Sequence, residues 1–288
     1  MPLPSRFGLV AFLLLLVSPL SAQFEPPKLA VPYGNNPATG KFAEVNGIKL
    51  YYETYGDGPV MLQIHGNGDS IAGMGYQIQF FSPKYRVIAT DSRGHGKSEP
   101  GSGRLTYEQM AEDLNALLDR LQLKSVIVLG WSDGGILGLL LAIHHPDKVS
   151  KLAIMGTNLN PQGAYQWALD GVAKGVKEAD AMIAKGDTSQ PWQWNKQLLD
   201  LLGQQPNIPV SDLEKIAIPV LVMAADKDVI RADHTQLIFE HLKQAHLAIF
   251  PGATHMIPRE NHLLFNETVA RFFAEPFARP DTRTVFGM

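Results

Sequence analysis

The chain has 288 residues, 45% of them hydrophobic, enough apolar material for one large α/β domain or two small ones. Its formal net charge of −3, with lysines and arginines scattered rather than striped, excludes a nucleic-acid-binding footprint. It contains no cysteine, which excludes disulfides, thiolate catalysis, thiolate metal sites and a lipid-bearing cysteine near the N-terminus.

Residues 1–22 read as a secretory signal peptide. Arg6 supplies a positive start, Phe7 to Val17 form an apolar run of 11 residues, and Ser18 to Ala22 offer small residues at the break. A membrane-spanning helix needs about 20 apolar residues, so cleavage after Ala22 is expected rather than a retained anchor. An exported chain without cysteine fits a bacterial periplasm or secretion. Residues 23–40, with Pro26, Pro27, Pro32 and Pro37, are expected to form an extended lead-in.

From Lys41 the pattern becomes strand-like. Phe42 to Val45 and Ile48 to Thr54 flank Asn46-Gly47, a strong hairpin signal. Apolar runs follow at Val60 to Ile64, Val87 to Ala89, Val126 to Leu129, Leu152 to Met155, Val220 to Ala224 and Leu247 to Phe250, each ending in a Gly- or Asp-containing loop. Helical patterns separate most of them, the clearest at Tyr107 to Leu121, with apolar residues at 110, 114, 117, 118 and 121. A hairpin followed by β-α alternation predicts an α/β fold: a mostly parallel sheet with helices on both faces. Ligand sites in such sheets lie beyond the carboxyl ends of the strands.

Residues 157–212 break the alternation. With Pro161, Pro191, Pro206 and Pro209 and no convincing strand, they are expected to be a helical cap inserted between core segments 41–156 and 213–273. Trp167, Trp192 and Trp194 fall in this cap, where they either line an acyl pocket or pack the cap onto the body. Residues 274–288 are polar and expected to be loosely held.

Gly130-Trp131-Ser132-Asp133-Gly134 follows one of the strand patterns and has the form of a nucleophile elbow. A serine hydroxyl is a poor nucleophile until a base removes its proton, so it must stand exposed on a sharp strand-to-helix turn beside a histidine. Side chains at 130 or 134 would collide with the neighbouring strand or the opening helix. A chain of this composition shows such a pentapeptide by chance roughly one time in ten, so context decides. That context is present: Asp226 and Asp228 follow the strand ending at Ala224, and His255 follows the strand ending at Phe250, giving the order Ser, Asp, His along one rim. Spacing alone leaves Asp226 and Asp228 both open as the acid.

Asp91-Ser-Arg-Gly-His-Gly-Lys-Ser98, His65-Gly66, the elbow and the Asp and His loops together resemble the α/β-hydrolase superfamily over residues 41–273. The resemblance implies Ser132, Asp228 and His255 as a catalytic triad, Asp228 standing at the acid position although Ala225 replaces the usual glycine. It implies an oxyanion hole made by the backbone N–H groups of Asn67 and Asp133, with His65, Asp91 and Arg93 as structural braces. A small-molecule ester substrate and no metal or organic cofactor are expected. The elbow Gly-Trp-Ser-Asp-Gly-Gly is similar to that of the valacyclovirase, or biphenyl-hydrolase-like, branch, where the acid after the nucleophile recognises an ammonium group. On that likeness Asp133, with Trp131, Trp167 and Trp192, is a candidate for substrate binding; the alternative for Asp133 is favourable placement in the first turn of a helix. Haloalkane dehalogenase and epoxide hydrolase chemistry would need a carboxylate at 132. Perhydrolase-like, C–C hydrolase and non-catalytic binding members of the fold remain alternatives.

Overall fold

The computed structural model describes residues 29–287, so the signal-peptide expectation for residues 1–22 lies outside the described residues. The chain opens with an extended segment tied to the buried Glu53, whose carboxylate accepts the N–H groups of Gly34 (2.8 Å) and Asn36 (2.9 Å). Strands β1 (Gly40–Val45) and β2 (Ile48–Tyr55) then form the hairpin around Asn46-Gly47. Both turn residues have positive φ, 41° and 77°, the conformation whose twist matches paired strands.

Six further strands follow in the expected places: β3 (Val60–Ile64), β4 (Arg86–Thr90), β5 (Val126–Trp131), β6 (Val149–Met155), β7 (Val220–Lys227) and β8 (Ala245–Thr254). The sheet order is β1-β2-β4-β3-β5-β6-β7-β8, with β2 antiparallel to both its neighbours, β1 and β4, and every other pair parallel. The order reverses around β3 and β5, so the carboxyl ends of these central strands open on a crevice, the place where ligands bind in such sheets.

Helices α1 (Gly75–Phe81) and α8 (His262–Ala274) cover one face, while α2 (Tyr107–Arg120), α3 (Asp133–His144) and α6 (Ala232–His241) cover the other. Alternate side chains of β5 explain why the strand reads as a continuous apolar run. Val126 and Val128 enter the cluster with Leu114, Leu118 and Leu140, whereas Leu129 and Trp131 enter the opposite cluster with Phe81, Phe265 and Val269. Helix α2 starts where its apolar stripe starts, with Thr106 Oγ1 accepting the Gln109 N–H at 3.1 Å as an N-cap.

Between β6 and β7 the chain leaves the sheet and forms α4 (Gln166–Ala184) and α5 (Trp192–Gln204), which pack on each other. The chain after 274 is more structured than its polar composition suggests. Phe277 packs in the apolar cluster beside His246, with ring centroids 4.8 Å apart, Arg279 lies over the Phe239 ring, and a final turn, α9 (Thr282–Val285), precedes exposed Phe286. Two aromatic contacts per few residues outweigh the polarity of the remainder. Short 3-10 turns at Ile71–Met74, Pro161–Gly163 and Val210–Lys215 and the helix α7 (Ile257–Glu260) connect these elements.

The Asp91–Ser98 loop is braced from below. Arg93 donates to both carboxylate oxygens of Asp113 on α2, each at 2.7 Å, and to the Asn46 carbonyl at 3.2 Å; the two side chains are 8% and 1% exposed. Removing one partner of such a pair leaves a buried charge uncompensated. Arg93→Met is therefore expected to destabilise the protein by about 3–5 kcal/mol in chemical denaturation. A loss near zero would show that the Asn46 and Gln109 side chains, which also donate to Asp113, suffice alone.

Candidate active site

Ser132 is the single residue between β5 and α3, and its φ of 56° and ψ of −120° make it a sharp, strained turn. Such a conformation costs on the order of 1–3 kcal/mol and survives only where the surroundings enforce it. They do so by close approach. A Cβ at Gly130 would stand 2.2 Å from the Gly134 carbonyl oxygen of the opening helix, and one at Gly134 would stand 2.1 Å from the Ile64 carbonyl oxygen of β3. The Ser132 N–H donates to the Met155 carbonyl at 2.7 Å, which holds the turn to β6.

Asp228 follows β7 and His255 follows β8, and their side chains meet: His255 Nδ1 lies 2.6 Å from Asp228 Oδ1. The carboxylate also accepts the N–H groups of Ile230 (3.1 Å) and Ala225 (3.2 Å). Burial pushes the Asp228 carboxyl up, but the His255 charge and these hydrogen bonds outweigh it and leave its pKa below the ordinary value. For His255 burial opposes the charged ring, yet the Asp228 charge and hydrogen bond prevail, with help from Asp133 and Glu260, and its pKa is raised. With Nδ1–H directed at the carboxylate, Nε2 is the nitrogen left to accept a proton.

Asp226 is elsewhere. It is exposed and accepts the Gly252 N–H at 2.9 Å, bracing the loop before His255. Sequence reading did not single out Gly156, against whose Cα the imidazole rests: a Cβ there would be 2.5 Å from His255 Cε1. Its only sequence signal is a glycine directly after β6.

On the other side of Ser132 the chain after β3 passes close to its side chain. A Cβ at Gly66 would be 3.1 Å from Ser132 Cβ and 3.7 Å from Oγ. The N–H groups of Asn67, next in this loop, and of Asp133, first in α3, donate to no protein acceptor among the described residues. His65 is a brace: Nδ1 pairs with the Gly66 carbonyl at 2.7 Å, Nε2 accepts the Ser92 N–H at 3.0 Å, and burial pushes its pKa down to about 4. Asp91 accepts the N–H groups of Ile71 and Lys97, both at 2.8 Å, and burial raises it to about 7.

The structure corrects the candidate substrate-binding set. Trp131 is in the core, where its indole N–H donates to the His255 carbonyl at 3.0 Å and its ring lies 5.0 Å from the Arg259 guanidinium; it holds the histidine loop. The buried Trp192 donates to Asp187 at 2.7 Å within the cap, and Trp167 is 61% exposed on the outer surface of α4. The Asp133 side chain is only 2% exposed, with Oδ2 accepting from Asn67 Nδ2 at 3.0 Å, so it is occupied within the protein rather than presented to a ligand. The cap tryptophan that packs down onto the body is Trp194. It lies over Gly94 and, with Asn195, Leu198, Gly68, Asp69 and His95, borders a small cavity of about 40 Å³ whose lining includes none of Ser132, Asp228 and His255. Which way each cap tryptophan points depends on how α4 and α5 are rotated against the body, and no local pattern encodes that.

Fold and site together define a hydrolase built on an α/β sheet. A family model described as alpha/beta hydrolase fold matches residues 59–190. The human protein "Serine hydrolase BPHL" is 28% identical over 87% of this chain and 91% of its own length, and "3-oxoadipate enol-lactonase 2" of Acinetobacter baylyi is 27% identical over 77% of this chain and 92% of its own. Among solved structures, an esterase of Exiguobacterium antarcticum superposes with a TM-score of 0.72 at 23% identity, over 82% of this chain and all of that one, a likeness of fold. The chain has the alpha/beta hydrolase fold, is similar in sequence to hydrolases of that fold, and is a hydrolase.

Proposed function

We propose that this hydrolase cleaves a carboxylic ester, or a similarly activated acyl compound, through an acyl-enzyme on Ser132. The observation that carries this reading is the 2.6 Å pairing of His255 with Asp228 on the same rim as the strained Ser132 turn. His255 Nε2 takes the proton from Ser132 Oγ as the oxygen attacks the acyl carbon. The carbonyl oxygen becomes an oxyanion and receives the N–H groups of Asn67 and Asp133, each such donor being worth about 3–4 kcal/mol in the transition state. The imidazolium, stabilised by Asp228, then protonates the leaving alcohol. A water molecule, deprotonated by the same nitrogen, releases the acid and restores the serine.

A fluorophosphonate probe tests this directly. Labelling of the wild type at Ser132, lost in Ser132→Ala, together with turnover in a panel of p-nitrophenyl esters of increasing acyl length, is the expected result. A wild type that is neither labelled nor active would place the chain among non-catalytic binders on this scaffold. The N-terminal pattern of Arg6, the apolar run and Ser18 to Ala22 supports export to a periplasm or the medium; it is checked by the N-terminal residue of the mature protein, expected to be Gln23.

A further inference from the structure

An oxyanion hole works only if its two donors converge on one point. The donor at Asp133 is fixed by the first turn of α3, but the donor at Asn67 lies in a turn between β3 and Ile71–Met74 that the backbone closes only through the Asp69 N–H donating to the Gly66 carbonyl at 3.3 Å. Something outside the backbone ladder must hold that peptide. The Asn67 side chain does so with both of its amide hydrogens: Nδ2 donates to Asp133 Oδ2 at 3.0 Å and to the Leu198 carbonyl of cap helix α5 at 3.2 Å. On the inner side the fully buried Tyr107 hydroxyl, which has no hydrogen-bond partner among the described residues, lies near the same carboxyl.

We propose that Asp133 is a positioning residue, whose carboxylate acts through the Asn67 side chain to fix the Asn67 N–H in the oxyanion hole and to tie that hole to the cap. This rests on the acyl-enzyme reading above. It makes the carboxylate matter for every ester, neutral or charged, because its partner is inside the protein. The connection to Leu198 also makes the cap part of the catalytic frame: a shift of α5 along its axis pulls on the same amide whose backbone receives the oxyanion.

The test uses a neutral substrate, the p-nitrophenyl ester turned over fastest by the wild type, with kcat taken on the high-pH plateau. Asn67→Ala and Asp133→Ala are each expected to lower kcat by about 100-fold, the cost of a donor misplaced by about an ångström, with KM changed much less. The double variant is expected to lose no more than the worse single one, since both break one link. Asp133→Asn keeps an acceptor oxygen and is expected to recover most of the plateau rate. Its acid limb should move to lower pH, because the negative charge that helps raise His255 is gone. Wild-type plateau kcat in Asp133→Ala, additive losses in the double variant, or no recovery in Asp133→Asn would each overturn the proposal. Thermal unfolding identifies a variant that does not fold, in which case Asn67→Ala, a loop substitution, decides the matter. Absence of Ser132 labelling in the wild type would instead overturn the acyl-enzyme reading, and this inference with it.

Discussion

Ser132→Ala is expected to lower kcat for an ester by about 10⁴–10⁶-fold, because the base, the acid and the nucleophile act as one unit and the first without the last transfers no proton to useful effect. The residual rate over water comes from the oxyanion donors and binding, which the substitution leaves in place. Stability should change by no more than about 0.5 kcal/mol, since the Ser132 hydroxyl makes no hydrogen bond among the described residues and alanine meets the same positive-φ strain as serine. Ser132→Gly is a useful companion. It removes the same hydroxyl but tolerates φ 56°, so it should unfold at a higher temperature than Ser132→Ala, by roughly 1 kcal/mol in stability. A Ser132→Ala variant with more than a hundredth of wild-type activity would show that another group attacks the substrate.

Asp228→Asn is expected to cost about 10⁴ in kcat for a different reason. The carboxylate can only accept, so it holds the proton of the imidazole on Nδ1 and leaves Nε2 free as the base. An amide at 228 can donate to Nδ1 instead, which moves the proton to Nε2 and leaves a tautomer that cannot accept from Ser132. The pH profile carries an independent signature. In the wild type His255 is raised above its ordinary 6.5 against the opposing effect of burial, chiefly by the Asp228 charge. The base must be neutral to work, so kcat/KM falls as pH drops through that raised value and is full above it. In Asp228→Asn the charge is gone and burial is left opposed only by Asp133 and Glu260, so the remaining activity should persist to lower pH. A variant within tenfold of wild type, or an unmoved acid limb, would reassign the partner of His255. Asp226→Asn serves as the control: its contact is with the Gly252 N–H, and its profile is expected to overlay that of the wild type.

Much of this was readable along the chain because it is local. Each strand of a sheet covered on both faces needs apolar residues at every position, so the strands appear as unbroken runs, and the hairpin announces itself through two residues able to take positive φ. The collision of a Cβ at 130 with the opening helix follows from the tightness of a strand-to-helix turn, whereas the one at 134 is with the neighbouring strand β3. Where a candidate site depends on such local geometry, the residue types alone point to it: Ser132 after one strand, Asp228 and His255 after two others.

What only the tertiary structure decided is how side chains distant in sequence meet. Asp226, near the end of β7, and Asp228, just beyond it, are both carboxylates, and the choice between them as the partner of His255 depends on the path of β8 and the bulge between Ala225 and Lys227. Trp131 and Trp192 are amphipathic groups whose indole N–H settles on whichever acceptor packing brings near, a carbonyl in one case and a cap carboxylate in the other. Asp133 stands next to the nucleophile in sequence, where an acid suggests a cationic ligand. Its partner is Asn67, 66 residues away, brought there by the pairing of β3 with β5. Burial and partnership are properties of the assembled sheet and cap, and for this one residue they replace an expected contact with substrate by a hydrogen bond from Asn67 inside the protein.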